Sequence, residues 1–300
     1  MTISDREKYI GNTIAGLTGG AAVFAWCPRI VTRQYIKYLN RYGARFSTPE
    51  QHDIWNAAQK AFKNSPIKDS VQLIDYNKSN WKPIADKLIE KRKEFLKQNK
   101  NPFVKLRALT WPTDKELKER LYVYAQGKNA CYMPATSQIL TNKEKKANAV
   151  FHEMGHALNA KGLGLGKILA KTRAKGAQAV PFVFGISMLT PKDSEDNPTK
   201  NKYYKGLLTL KKHAGLIASA CLLPLTLEEG LASIKGGKMA KEVLSPELYK
   251  KVNKSNIKAF IAYSISMIMV GAGTALANYI KDKVTGPLPK KSNNQELIEK

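Results

Sequence analysis

Two histidines in the middle of the chain have the spacing and the neighbour that metal-assisted hydrolysis requires. His152 and His156 are four positions apart, and Glu153 directly follows the first. On a helix this spacing places both imidazoles on one face, where they can bind the same ion. Zinc held by neutral nitrogen ligands activates a bound water, and a neighbouring carboxylate can accept its proton. The pattern therefore predicts a zinc site with Glu153 as the general base.

The residues around this pattern predict the elements that position it. The sequence TNKE at 141–144 is typical of a capping box that starts a helix, and Gly162 is expected to end that helix. Two strands are predicted ahead of the helix, at 120–126 and 131–140. An edge strand around Tyr132 to Leu140 would lie beside the metal and bind the backbone of an extended substrate.

A catalytic zinc usually has three protein ligands, so a third must come from elsewhere in the chain. His52 lies in an amphipathic helical pattern and His213 in an apolar segment, where structural roles are expected. The better candidates are two adjacent carboxylates, Glu228 and Glu229, which directly follow an apolar stretch. A solvated acid pair at the edge of a membrane is the alternative interpretation.

Three segments of this chain together resemble a known class of peptidase. CYMPATSQILTN, VFHEMGHALNA and LPLTLEEGLAS are similar to segments of the YugP-type zinc-dependent membrane proteases and, more distantly, of the HtpX-like gluzincins. The resemblance covers roughly residues 129–234 and implies a zincin-like catalytic unit that binds Zn²⁺ and cleaves polypeptides, membrane proteins among them.

The resemblance also implies roles for residues near the second motif. Glu229, Ala232 and Ser233 fit the E-x-x-A-S spacing in which the glutamate is the third zinc ligand, while Glu228 stays as the alternative ligand. HtpX-like proteins have an aspartate at the position of Ser233, and that aspartate orients a zinc-bound imidazole. The Ser233 hydroxyl is expected to accept the same imidazole proton.

The charge of the chain points to anionic partners. Fifty Lys and Arg residues against 24 Asp and Glu give a formal net charge of +26. The lysines are spread along the chain and crowd around apolar segments, which favours a lipid surface over nucleic acid. The three cysteines are far apart and form no CxxC pair, so neither a disulfide framework nor a thiolate zinc cluster is indicated.

Four apolar segments predict membrane spans, at 9–28, 176–190, 206–227 and 259–280. A signal peptide is the competing interpretation of the first segment. Core helices of a soluble protein are the competing interpretation of the two middle segments. If the histidines and Glu229 share one ion, an even number of spans must separate them, and the two middle segments form such a hairpin. The basic residues before 176 then place the site at the cytoplasmic face.

The segments divide the chain into four parts. Residues 1–28 form the first span, and 29–128 form a basic, helical, soluble region with helices from Ser47 to Phe62 and from Trp81 onward. Residues 129–240 form the metallopeptidase unit with its membrane hairpin. Residues 241–300 hold the last span and a tail that begins at Lys281.

The sequence therefore predicts a mainly α-helical integral membrane protein with a small β edge at about 120–140. Its expected function is zinc-dependent peptide-bond hydrolysis, with a bacterial inner membrane as the expected location from the family resemblance. A membrane scaffold that kept the zincin fold without turnover is the first alternative. A soluble basic protein that binds nucleic acid is the second.

Overall fold

The computed structural model describes residues 3–41, 45–100, 108, 112–192 and 201–286. The chain divides into two compact units, of which the first comprises Met1–Arg41, Thr172–Thr226 and Ile261–Lys300, and the second Tyr42–Lys171 and Leu227–Phe260. Both histidines and both candidate glutamates belong to the second unit. The elements that position the site are therefore those of the second unit.

The described part of the chain is mainly helical, as the sequence predicts. Its α-helices in chain order are α1 (Ile3–Arg41), α2 (Thr48–Lys63), α3 (Trp81–Gln98), α4 (Asp114–Ala125), α5 (Val150–Lys161), α6 (Leu165–Leu189), α7 (Lys202–Lys212), α8 (Ala214–Val243) and α9 (Pro246–Thr285). A short 3₁₀ helix, Ala147–Ala149, precedes α5.

A three-stranded sheet accompanies these helices in the second unit. Its strands are β1 (Gln72–Asp75), β2 (Cys131–Met133) and β3 (Gln138–Thr141), in the spatial order β1-β3-β2. β3 pairs in parallel with β1 and antiparallel with β2. The predicted single strand at 131–140 is thus a hairpin of two strands, and β1 is a strand that the sequence patterns did not indicate.

Two helices of the second unit begin and end where the sequence predicts. In α2, Ser47 Oγ accepts the Glu50 N–H while the Glu50 carboxylate accepts the Ser47 N–H. This reciprocal capping box satisfies two backbone donors at the start of the helix. α3 starts at Trp81 and buries an apolar stripe that includes Ala85, Leu88 and Ile89. Both helix predictions are confirmed.

The predicted strand at 120–126 is wrong, because α4 runs through 120–125. Thr113 and Glu116 form a second capping box, which commits the following residues to a helix. Leu121 and Ala125, four positions apart, are buried, whereas Val123 between them is exposed. A strand would have placed all three on one face, so their burial follows the helical period rather than the alternation of a strand.

The start of α5 also differs from the prediction. Asn142 Oδ1 accepts the N–H groups of Glu144 and Lys145 and so closes a turn instead of starting a helix. α5 begins at Val150, and its N-cap residue, Ala149, has no side-chain hydrogen bond. Its other end agrees with the sequence, since Gly162 is the C-cap.

The core of the second unit surrounds the helix that carries the histidines. Val150, Phe151, Met154 and Ala157 of α5 are fully buried and belong to one hydrophobic cluster with residues of α2, of the sheet and of the C-terminal part of the unit. A second cluster joins α3 and α4 to Leu140 on the opposite face of β3. α5 is consequently enclosed by packing along its apolar face.

Among the described residues, two helices are long and apolar enough to cross a membrane, α8 and α9. The predicted span at 259–280 lies within α9, whereas the one at 206–227 is divided between α7 and α8, because the first helix ends at Lys212. The segments at 9–28 and 176–190 lie in α1 and α6. Within their described residues, neither helix is long and apolar enough to count as a candidate membrane helix. Beyond Lys281, α9 continues to Thr285, and residues 287–300 lie outside the described part.

Candidate metal centre

The two histidines of α5 point their Nε2 atoms at a common point, and a carboxylate from α8 joins them there. The two Nε2 atoms are 3.1 Å apart. Glu229 Oε2 lies 3.1 Å from His152 Nε2 and 3.4 Å from His156 Nε2. All three residues are less than a tenth exposed. Three buried ligand atoms therefore form a small triangle.

The size of this triangle matches the coordination shell of a small metal ion. Zinc bonds to nitrogen and carboxylate oxygen are about 2.0–2.1 Å long, so the corners of a tetrahedral shell are about 3.3 Å apart. The observed separations of 3.1–3.4 Å agree with this value. The residues present could accordingly hold a metal ion.

The outward-facing nitrogen of each ring has its own partner. His156 Nδ1 lies 2.9 Å from Glu228 Oε1, and His152 Nδ1 lies 3.1 Å from Ser233 Oγ. A carboxylate only accepts, so His156 Nδ1 carries the proton. Ser233 Oγ donates its own hydrogen to the Asn256 carbonyl and therefore accepts from His152 Nδ1–H. In neutral imidazoles both Nε2 atoms then present lone pairs.

The direction of these hydrogen bonds gives the site its chemical character. Two nitrogen lone pairs and a carboxylate oxygen converge within 3.4 Å with no proton between them when both rings are neutral. Such an arrangement is repulsive unless a cation lies at its centre. Burial lowers the pKa of His156, but the Glu228 and Glu229 carboxylates outweigh burial and raise it to about 10. A proton and a metal ion compete for the same negative potential.

Glu153 lies beside the triangle on the same helix. One ring nitrogen of His152, one of His156 and one carboxylate oxygen of Glu153 all lie within 4.8 Å of one another, and all three residues are buried. Glu153 Oε2 accepts the backbone N–H of Tyr132 on β2 at 2.7 Å. The charge of Glu153 also raises the pKa of the buried Cys131 thiol, an effect second to that of burial. The strand before the motif thus holds the carboxylate in place.

Close packing of α5 against α8 brings the two halves of the site together. A Cβ on Gly155 would lie 2.0 Å from the Ala232 carbonyl oxygen, and one on Gly236 would lie 2.1 Å from the Phe151 carbonyl oxygen. The two backbones therefore touch at two points that only glycine permits. This contact places Glu228, Glu229 and Ser233 against the face of α5 that carries the histidines.

The structure separates the predicted site residues into groups. The hydrogen-bonded group at the two rings consists of His152, His156, Glu228, Glu229 and Ser233. Glu153 lies within 4.8 Å of the two ring nitrogens. His52 is exposed on α2, and His213 is exposed at the C-cap of α7. Neither belongs to the buried group.

Two contacts of the site had not been predicted from the sequence. Asn159 donates to Glu228, and the Tyr132 backbone donates to Glu153. Asn159 follows His156 by three positions, so its place on the same helical face was a usable signal. The Tyr132 contact involves a backbone group, for which the residue type gives no signal.

The predicted edge strand over Tyr132 to Leu140 needs correction. β3 is the central strand of the sheet, so Gln138 to Leu140 already have strand partners on both sides. β2 lies at one edge and is the strand whose backbone reaches Glu153. Of the two strands over this range, only β2 therefore lies at an edge of the sheet.

Comparison with known proteins finds no matching family model, no matching curated protein and no matching solved structure.

Proposed function

We propose that this protein is a membrane-bound zinc metallopeptidase. The observation that carries the proposal is the convergence of two imidazole Nε2 atoms and one glutamate oxygen within 3.4 Å beside a second buried glutamate. The three sequence segments that resemble YugP-type and HtpX-like gluzincins support the same class. His152, His156 and Glu229 would hold the ion, and Glu153 is left for catalysis.

The residues of the chain have distinct tasks in this mechanism. A bound zinc ion supplies Lewis acidity, lowering the pKa of its water to about 7 and polarising the substrate carbonyl. Glu153 accepts the proton of the attacking water and passes it to the departing amine. The Tyr132 N–H orients the Glu153 carboxylate for both transfers. The edge of β2 would align the substrate backbone.

The apolar helices support a membrane location. Only 28% of the most apolar window of α8 and 17% of that of α9 are buried within the protein. A core helix of a soluble protein would be mostly enclosed, whereas side chains such as Leu216 and Ile268 are exposed here. The excess of basic residues before 176 favours a site at the cytoplasmic face of the membrane. The resemblance to the membrane proteases implies that this membrane is a bacterial plasma membrane.

The substrates proposed on this basis are polypeptides, with membrane proteins among them. The high positive charge is assigned to contact with anionic lipid headgroups rather than nucleic acid. Carbonate extraction tests this assignment, because an integral membrane protein stays in the pellet. Release into the aqueous fraction, with salt-dependent affinity for nucleic acid, would contradict it.

The catalytic proposal is tested on full-length protein purified in detergent. Zinc content and cleavage of an unfolded fluorescent casein are measured for the parent, Glu153→Gln and Glu229→Ala. We expect Glu153→Gln to keep zinc and lose cleavage, and Glu229→Ala to lose both. Cleavage that survives in Glu153→Gln would contradict the peptidase mechanism and favour a non-catalytic scaffold with a contaminating protease.

A further inference from the structure

The two adjacent acidic residues of α8 make different contacts with the histidines. Glu229 Oε2 faces both Nε2 atoms, whereas Glu228 Oε1 bonds to the opposite nitrogen of His156, Nδ1, at 2.9 Å. Both carboxylates are almost fully buried. Adjacent side chains on a helix point about 100° apart, so the two neighbours meet different groups of α5.

Asn159 on α5 bonds to the first of these two residues, Glu228. Asn159 is fully buried and follows His156 by three positions, which places the two side chains on one face of the helix. Its Nδ2 donates to Glu228 Oε1 at 3.1 Å and to the Glu228 carbonyl oxygen at 3.3 Å. One amide thus contacts both the carboxylate and the backbone of the same residue. Any rotation of Glu228 away from His156 would break the first of these bonds.

The other end of the Asn159 amide supports this assignment. Asn159 Oδ1 is buried and has no hydrogen-bond partner. A flipped amide would turn that oxygen towards the Glu228 carboxylate, which is repulsive, so the donor end must face Glu228. An unpaired buried acceptor is unfavourable, and an apolar residue of similar size would avoid it. The donor end of Asn159 is therefore the part that the site uses.

A carboxylate on Nδ1–H fixes the orientation of an imidazole and makes its Nε2 a stronger ligand. Two neighbouring carboxylates near one ion could also exchange as ligands, which would loosen the site. A donor that holds Glu228 on the side away from the ion would oppose this exchange, and Asn159 Nδ2 is such a donor.

We propose that Asn159 is a positioning residue that holds Glu228 on His156 Nδ1 and outside the coordination shell, so that Glu229 alone completes the metal site. The inference rests on the proposed function, in that it requires a metal ion between the histidines and Glu229.

The first test measures Zn²⁺ affinity by chelator competition on full-length protein in detergent. Asn159→Leu and Glu228→Gln are each expected to weaken binding about 10- to 100-fold. Because Asn159 acts through Glu228, the double variant should bind about as tightly as Glu228→Gln alone. Independent, multiplying effects of the two substitutions would overturn the proposal.

Asn148→Ala is the matched control. Asn148 is also buried and lies two residues before α5, and its side chain bonds to Ser255 and Gln51 rather than to the acidic pair. This variant should lower the unfolding temperature without weakening Zn²⁺ binding by the folded protein. An equal loss of Zn²⁺ affinity in Asn148→Ala and Asn159→Leu would reduce Asn159 to a packing residue and overturn the proposal.

The second test does not depend on the folding of Asn159→Leu. Co²⁺ absorption spectra report the number and type of ligands, and Glu228→Gln and Glu229→Gln are nearly isosteric changes. We expect Glu228→Gln to keep the band intensities of the parent and Glu229→Gln to change them. Equal changes in both would make Glu228 a ligand and overturn the proposal.

Neither test uses a peptide substrate, which separates this inference from the proposed function. A parent protein that binds Zn²⁺ and shows the coupling without cleaving peptides would contradict the peptidase proposal and support the role of Asn159. A parent protein that binds no Zn²⁺ would overturn both.

Discussion

Two buried polar clusters, one in each unit, differ in how their charge is balanced. In the first unit, Lys211 and Lys281 both donate to the Thr190 carbonyl oxygen, at 2.9 and 2.8 Å, and both pair with the Asp282 carboxylate. This lysine cluster contains two cations and one anion, with carbonyl oxygen as a further acceptor. Each ammonium group therefore has acceptors that the chain itself supplies.

The cluster around His152 and His156 has the opposite composition. It contains two carboxylates, Glu228 and Glu229, and each Nδ1–H already has an acceptor. The remaining ligand atoms all accept. In the lysine cluster every ammonium group meets an acceptor of the protein, whereas the histidine cluster has surplus acceptors that a proton or a metal ion must balance.

The largest expected effect concerns Glu229, the proposed third metal ligand. Glu229→Ala removes one corner of the triangle and should weaken Zn²⁺ binding more than about 100-fold, beyond the range typical of outer hydrogen-bond partners. Lys281→Met, which alters only the lysine cluster, should leave binding unchanged. Chelator competition on both variants measures the difference, and similar affinities in the two would disprove the assignment.

The lysine cluster should respond most strongly to loss of its carboxylate. Asp282→Asn leaves two ammonium groups without a counter-charge and is expected to cost about 3 kcal/mol of folding free energy, the lower end for a buried pair because Asp282 keeps 24% of its side chain exposed. Lys281→Met leaves one cation and one anion and should cost less. Unfolding in detergent measures the two losses of folding free energy. An equal loss in both variants would contradict the expected order.

The helix contact that assembles the histidine cluster can be tested with two neighbouring glycines. Gly236→Ala places a Cβ 2.1 Å from the Phe151 carbonyl oxygen and should destabilise the second unit by about 1–3 kcal/mol while weakening metal binding. Gly237→Ala has 3.5 Å to its nearest neighbour, Asn253 Oδ1, and should stabilise α8 by about 0.5–1 kcal/mol. Thermal unfolding and metal affinity distinguish them, and equal responses would show that the close contact is unimportant.

Acidity should affect the two forms of the histidine cluster in opposite ways. The pKa of His156 without metal is raised to about 10, so its proton stabilises the metal-free fold below about 6.5 and this contribution is lost as the pH rises through about 10. Metal binding must displace that proton. Zn²⁺ affinity should therefore rise by up to about tenfold per pH unit while the pH stays below the His156 pKa of about 10. Titration calorimetry in two buffers measures the released proton. Affinity that is constant with pH would contradict the shared site.

The smallest expected effect concerns the serine that accepts from His152. Ser233→Ala removes the Nδ1 partner but keeps all three ligand atoms, so Zn²⁺ affinity should fall about tenfold or less. Ser233→Asp, which restores an acceptor, should recover the affinity. A loss as large as that of Glu229→Ala would assign Ser233 a direct ligand role.

Local patterns predicted the parts of the fold whose causes lie within a few residues. The capping box at Ser47 and the C-cap at Gly162 each involve neighbours in sequence, and both are observed. The strand predicted at 120–126 failed because the deciding interaction, the Thr113 capping box, lay upstream of the pattern that was considered. Likewise, the hydroxyl of Thr141 has the right spacing for a cap, but Asn142 Oδ1 accepts the Glu144 N–H that the predicted capping box requires.

Long-range pairing explains most of what the sequence did not reveal about the site. The residue types identified Glu228 and Glu229 as candidates but not which contacts each would make, because one residue of rotation on α8 turns a side chain by about 100°. That rotation is fixed by Ala232 and Gly236 against α5, some 80 residues away in sequence. The parallel pairing of β1 with β3 is equally distant and carries no local signal.

The backbone contacts at Gly155, Ala232 and Gly236 have a consequence for recognising related chains. At Gly155 and Gly236 even a Cβ atom would collide with the backbone of the other helix. A search profile that joins H-E-x-G-H to E-x-x-A-S-x-x-G therefore encodes steric as well as catalytic constraints. It leaves the length of the intervening segment free, so distant homologues with different inserts should still be detectable by it.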